Sequence, residues 1–396
     1  MNVSTRSRTS NMPLPFAAAL VAPLCLCLRA AEPPELPAVA EALQPFVERQ
    51  EIAGAVTLVA APDRILHLGC LGQADLAAGR PARPETIYWI ASMTKPVTAV
   101  ALLMLQDEGR LKVDDPVAKY VPELAGLKTP SGKPANLTLK DLLTHTSGLV
   151  EATRDELHAA RTLADLIPAF AAKPLQFEPR TRWQYSQSGI NTLGRIIEIV
   201  SGQSLPDFFK TRLFDPLGMT DTAFYLNEEQ LARLAKPYKH ENGALKAVEF
   251  WPDVDPARRD HFPAANGGLY STAPDYARFC RMLLNHGALD GRCYLKPETV
   301  ALLSSVHSGS LKTGFTDGNG WGLGVCVVRE PQGVTAALSP GSFGHGGAFG
   351  TQAWIDPVKR RAYILMVQRS NFPNSDASDV RRAFQFAFDN IKPRDA

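Results

Sequence analysis

Ser92 and Lys95 stand three residues apart in Ile90-Ala-Ser-Met-Thr-Lys-Pro-Val97, at the mouth of an apolar, helix-forming run. At that spacing two side chains share one face of a helical turn, so the amine can reach the hydroxyl. A serine becomes a nucleophile when a neighbouring base takes its proton, and this amine is a base only if it is neutral. Bringing a lysine pKa from about 10.4 to near 7.5 means destabilising the charged form by roughly 4 kcal/mol. Burial and the positive end of a helix dipole both act in that direction. Pro96 is tolerated because first-turn N–H groups lack intrahelical partners. The plain alternative is a serine that merely caps an exposed helix. No other lysine in the chain has a serine three positions before it.

Competing chemistries find less support. The nearest approach to G-x-S-x-G is Pro340-Gly-Ser-Phe-Gly344, in which proline replaces the first glycine of the nucleophile elbow at Ser342. H-E-x-x-H and a Walker loop are absent. Asp114–Asp115 precede Pro116 and read as turn residues. His145 reads as a structural histidine with local hydrogen bonds. Cys70, Cys280, Cys293 and Cys326 show no C-x-x-C spacing and read as isolated thiols, with a Cys280–Cys293 disulfide the alternative in an oxidising compartment. No metal or cofactor is called for.

Six segments occur in order: Ser92-Met-Thr-Lys95, Leu142-Leu-Thr-His-Thr-Ser-Gly148, Tyr185-Ser-Gln187, Asn266-Gly-Gly-Leu-Tyr-Ser271, Gly320-Trp-Gly-Leu-Gly324 and His345-Gly-Gly347. Together they resemble the serine β-lactamase/penicillin-binding protein family, in its class C-like branch of β-lactamases, D,D-carboxypeptidases, D-aminopeptidases and family VIII carboxylesterases. The resemblance runs from about Ala38 to Ile391. It implies an acylated nucleophile at Ser92, an activating amine at Lys95 and a proton-shuttling phenol at Tyr185. It implies an oxyanion hole formed by the N–H groups of Ser92 and Ala348, and substrate contacts from Gln187, Trp321, His345, Gly346 and Gly347. Lys312-Thr-Gly314 matches the family's third motif literally, yet it falls among turn residues and precedes the Trp321 segment. His345-Gly-Gly347 follows that segment and leads into a strand, so it is taken as the motif. Two departures stand out: a largely neutral histidine replaces the family's lysine, and Gln187 replaces its asparagine. Both point away from a penicillinase without choosing an ester over an amide. The resulting expectation is a serine hydrolase, foremost a carboxylesterase on short acyl esters. The alternatives are an amide hydrolase of the same family and a non-catalytic cell-envelope binding module.

The elements that must position these residues follow from pattern. Residues 38–50 read as an amphipathic helix, and Gly54 to Ala60 with Ile65 to Leu71 as a hairpin. A helix opens at Ser92 and ends at Gly109. Helical pieces follow at Leu139–Leu143, Leu163–Ala171, Gly189–Val200 and Leu205–Arg212. Strands return at Gly322–Arg329, Gly350–Ile355 and Arg361–Gln368, before a last helix from Ala377 to Ile391. The expected fold is α/β (α+β): an antiparallel sheet built from both chain ends and flanked by helices, with an inserted, mostly helical lobe. The sheet domain would comprise residues 32–120 and 266–396, and the lobe residues 121–265.

With 396 residues and a net charge of +2, the chain can bury a large core and carries no basic stripe for nucleic acid. Arg6 and Arg8 precede a short apolar run, Phe16 to Leu28, and then Ala30–Ala31. This is the order of a secretory signal over residues 1–31, too short for a stable membrane span, and it suggests a periplasmic or secreted protein. The expected partner is a small ester or amide substrate.

Overall fold

The structure is a computed structural model that describes residues 1–5, 34–250, 255–314, 316–374 and 376–390. The leader beyond residue 5 lies outside the described residues, and residues 1–5 are exposed and without regular structure. Residues 33–396 form one unit. Among the described residues no helix is long and apolar enough to cross a membrane.

The N-terminal helix α1 (Pro37–Glu48) leads into strands β1 (Gly54–Ala60), β2 (Ile65–Asp75) and β3 (Arg80–Pro81). The chain returns to the same sheet with strands Asn319–Trp321, Cys326–Val328, Phe343–Gly346, Gln352–Asp356 and Arg361–Met366. These make one eight-stranded sheet in which the last strand pairs antiparallel with β1, Val56 opposite Met366 and Ala60 opposite Ala362. The two ends of the sequence therefore meet in the sheet's middle.

Every residue of β1 is buried, because both faces of the sheet are covered. Val56, Leu58 and Ala60 join the cluster beneath helix α2 (Thr94–Asp107). Ala55 and Val59 join the opposite cluster, with Val39 and Leu43 of α1 and Phe384 and Phe388 of the C-terminal helix Asp379–Asp389. That alternation is the period of two of a strand. Helix α2 is buried all round, from Thr94 through Leu105. Such a helix belongs to a core, and it carries Lys95 inside with it.

Helices α3 (Leu139–Leu143), α4 (Arg154–Ala159), α5 (Leu163–Ala171) and α6 (Gln187–Ser201) follow. Their apolar residues, among them Leu142, Phe170 and Leu193, continue the cluster that surrounds α2.

One expected strand is corrected. Gly322–Arg329 is not continuous; Asn319–Trp321 and Cys326–Val328 form a hairpin, Trp321 opposite Cys326. The glycines explain the break. Gly324 adopts φ +73°, and a Cβ there would lie 2.8 Å from Ala99 of α2, so the turn is pressed against the helix that carries Lys95.

Candidate active site

Ser92 sits in a single 3₁₀ turn, Ala91–Met93, immediately before α2. Its side chain caps no helix. Ala91 holds a left-handed backbone, φ +45°, a conformation that costs a non-glycine residue about 1 kcal/mol or more. Neighbouring segments hold the turn. Ile90 donates its N–H to Leu269 O at 3.0 Å, Leu269 donates its own to Thr94 Oγ1 at 3.1 Å, and the Tyr276 hydroxyl donates to Met93 O at 2.8 Å.

Lys95 is fully buried. Its Nζ lies 3.1 Å from Ser92 Oγ, 2.8 Å from Gln187 Oε1 and 2.8 Å from Asn266 O. It also stands 4.5 Å above the Tyr185 ring. Burial pulls its pKa down to about 7, with only Glu151 opposing. Gln187 Oε1 also accepts from Asn266 Nδ2 at 2.7 Å, and Asn191 Oδ1 accepts from Asn266 N at 3.2 Å. Gln187 thus faces the lysine and also lines the cavity beside Ser92.

Tyr185 lies in the loop before α6, and its hydroxyl is 3.3 Å from His345 Nε2. His345 Nδ1 is 2.7 Å from Gly346 O, a carbonyl that can only accept. The proton is therefore on Nδ1, and Nε2 accepts from the tyrosine. Burial, then the neighbouring Lys95, lowers the His345 pKa to about 3, so the imidazole is neutral at pH 7. Burial raises the Tyr185 pKa, against an opposing hydrogen bond with Ser92, so the phenol keeps its proton.

His145 is the support under this pair. It has φ +58°, and its Nδ1 accepts the Ser186 N–H at 3.1 Å. Its carbonyl accepts from Gln184 N at 2.9 Å. The loop after α3 is thereby joined to the segment that presents Tyr185. Burial, then Lys95 and His345, holds its pKa well below normal. Glu151 does similar work at α6, accepting the first-turn N–H groups of Gln187 at 2.7 Å and Ser188 at 2.9 Å, a favourable place for an anion.

The remaining expected residues separate into two groups. Ser92, Gln187 and Ala348 line a cavity of about 410 Å³. Tyr185, Trp321, His345, Gly346 and Gly347 are not in its wall. Trp321 is 1% exposed and meets the rings of Tyr185 and His345 edge-on, at 6.0 and 5.6 Å. Gly347 packs against the nucleophile's own segment: a Cβ there would lie 2.1 Å from Thr351 Oγ1 and 2.6 Å from Ile90 O. Lys312 is exposed, pairs with Asp317 at 3.3 Å and touches none of these groups. Ser342 is fully buried without a hydrogen-bond partner for its Oγ. Cys70, Cys280, Cys293 and Cys326 are all free thiols.

Glu151, Asn191 and the carbonyl of Asn266 were not singled out for chemistry by the sequence. Asn266-Gly-Gly268 carried a signal as a motif; Glu151 and Asn191 carried none.

The model of the family described as Beta-lactamase matches residues 39–388. The chain belongs to that family. Esterase EstB of Burkholderia gladioli is 31% identical over 356 residues, covering 81% of this chain and 87% of EstB. A putative D-alanyl-D-alanine carboxypeptidase of Escherichia coli K12 is 28% identical, covering 76% of this chain and 72% of the relative. Among solved structures, EstCE1, described as a hydrolase with promiscuous acyltransferase activity, superposes with a TM-score of 0.78 at 23% identity. It covers 89% of this chain and 97% of its own. The β-lactamase-family fold is thus shared with EstCE1, and both esterase and peptidase names occur among the family relatives.

Proposed function

We propose that this chain is a serine hydrolase that works through an acyl-enzyme, and that it is a carboxylesterase. One observation carries the reading: the fully buried Lys95 Nζ lies 3.1 Å from Ser92 Oγ. A neutral amine has two N–H bonds and one lone pair. In that neutral form Gln187 Oε1 and Asn266 O take the two N–H groups, which frees the lone pair for the Ser92 hydroxyl at 3.1 Å. With its pKa near 7, the amine is a base matched to neutral pH.

The reaction then runs in two halves. Ser92 Oγ attacks the ester carbonyl carbon while its proton passes to Lys95, and the N–H groups of Ser92 and Ala348 receive the oxyanion. The carbonyl–alkoxy bond breaks, and the alkoxide leaves as alcohol after taking a proton from Tyr185, which is resupplied by Lys95. Water then attacks the acyl-enzyme, releasing the carboxylic acid and restoring the Ser92 hydroxyl. His345 orients the phenol by accepting its O–H.

An ester is favoured over a penicillin or peptide terminus because His345, standing in place of a lysine, is neutral and offers no fixed charge to a carboxylate. The esterase name of a relative at 31% identity supports the same choice. Purified protein assayed on p-nitrophenyl butyrate, a D-alanyl p-nitroanilide and nitrocefin tests it. The expected order has the ester highest in kcat/KM. Preference for the anilide or nitrocefin makes the protein an amide hydrolase, and no turnover of any makes it a binding module. Export, expected from residues 1–31, is tested by N-terminal sequencing of protein recovered from a host envelope, with a start near Glu32 expected.

A further inference from the structure

The cavity beside Ser92 is larger and more apolar than a short acyl group needs. Its wall includes Trp89, Leu157, Phe170, Phe224, Phe262 and Tyr270. Its volume of about 410 Å³ has room for on the order of a dozen non-hydrogen atoms, taking about 30 Å³ for each water-sized group.

Three polar side chains of the wall are already engaged. Gln187 Oε1 is held by Lys95 and Asn266. Asn191 Oδ1 accepts from Asn266 N. The Glu151 carboxylate accepts from Gln187 N and Ser188 N. A second carboxylate entering the cavity would face Glu151. His261, also in the wall, has its pKa lowered by burial, against the opposing charge of Asp260. Among the described residues Arg154 is the one arginine or lysine in the wall, and it is exposed.

The two sides of Ser92 are chemically different. Tyr185, the proposed proton donor to the leaving oxygen, and His345, which orients it, are absent from the cavity wall, whereas Ser92 and Ala348 belong to it. With the leaving alcohol on the tyrosine side, the cavity is the place for the group that stays on the serine.

We infer that this cavity is the acyl pocket, and that it selects an uncharged, bulky apolar acyl group, a medium straight chain or an aromatic ring, over acetyl and over acids bearing a second carboxylate. The inference rests on the acyl-enzyme reading above. It moves the acyl group from the short one expected from sequence to a larger one.

Full-length protein is assayed on p-nitrophenyl acetate, butyrate, hexanoate, octanoate, benzoate and hemisuccinate, with fluorophosphonate labelling of Ser92 followed by peptide mass spectrometry. Burying one more methylene corresponds to about a fourfold gain, so kcat/KM should climb at about that rate from acetate to hexanoate. Benzoate should exceed acetate, and hemisuccinate should fall at least tenfold below butyrate. Leu157→Trp, which fills the cavity from the short helix α4, should lower the octanoate-to-acetate ratio at least tenfold. Ala152→Leu, on the same wall, should lower it in the same direction and serves if the first variant fails to fold. Labelled enzyme with acetate as the best substrate, a flat profile, or hemisuccinate equal to butyrate overturns the pocket inference and leaves the hydrolase reading standing. Folded protein with no label at Ser92 and no ester turnover overturns both.

Discussion

Gln187 Oε1 accepts an N–H of Lys95 Nζ at 2.8 Å and another from Asn266 Nδ2 at 2.7 Å, so the amide oxygen is the atom that faces the amine. The side chain that replaces the family's asparagine is thereby committed to orienting the proposed base. Gln187→Leu should therefore act on kcat and on the pH profile more than on KM. We expect kcat to fall about tenfold to a hundredfold, within the range of general acid–base assistance. Gln187→Asn, one methylene shorter, should fall between the two. An unchanged kcat with a raised KM would assign Gln187 to substrate contact.

The proposed catalytic unit predicts non-additive losses. Lys95→Ala and Tyr185→Phe should each lower kcat by roughly two to four orders of magnitude, and the double variant should cost little more than either alone. Fully multiplicative losses in a double-mutant cycle would mean that the two act independently.

Acid dependence follows from Lys95. Only its neutral form can accept the serine proton, so kcat/KM should rise as pH passes about 7 and then level. The consequence for stability has the same origin. The folded pKa lies below the unfolded value, so the unfolded chain binds more protons between about pH 7 and 10.4. Stability should rise with pH across that window, and the cost of burying the amine should be greatest at and below pH 7. Lys95→Met should therefore unfold at a higher temperature at pH 7, gaining up to about 4 kcal/mol while losing activity. A lower Tm for this variant would show that the amine is not destabilised in the fold.

Much of this arrangement was legible in advance, and the reasons lie in particular residues. β1, Leu139–Leu143 and Leu163–Ala171 could be bounded because their apolar residues repeat with one period and polar or breaking residues stop them. The Ser92/Lys95 spacing was legible because a three-residue offset on a turn has only one geometry. The Asn319–Val328 hairpin was not, because its break depends on contact between Gly324 and Ala99, residues far apart in the chain. Lys95's partners were also hidden: Gln187 and Asn266 reach it across 92 and 171 positions. For Gly347 the motif was visible and its reason was not. A Cβ added there would meet Thr351 Oγ1 and the Ile90 carbonyl.

Those neighbours make Gly347→Ala a packing defect. We expect it to lower stability by about 1–3 kcal/mol, the usual cost of overpacking, and to disturb the Ser92 turn through Ile90. Denaturant unfolding checks it; a variant of wild-type stability and lower affinity for substrate would assign Gly347 to a substrate-facing edge instead.

Lys312 provides the control. It is exposed, in a surface pair with Asp317, a contact of small energetic value. Lys312→Ala should leave kcat, KM and Tm close to wild type. A loss comparable to that of Lys95→Ala would move the third motif from His345 to the Lys312 turn.

The central claim is that Ser92 carries the acyl group. The most direct measurement is acid quenching of the enzyme during turnover of a p-nitrophenyl ester, followed by intact and peptide mass spectrometry. The account predicts a mass increase equal to the acyl group, confined to the peptide containing Ser92 and lost in Ser92→Ala. An adduct on any other residue, or efficient ester hydrolysis by Ser92→Ala, would contradict it.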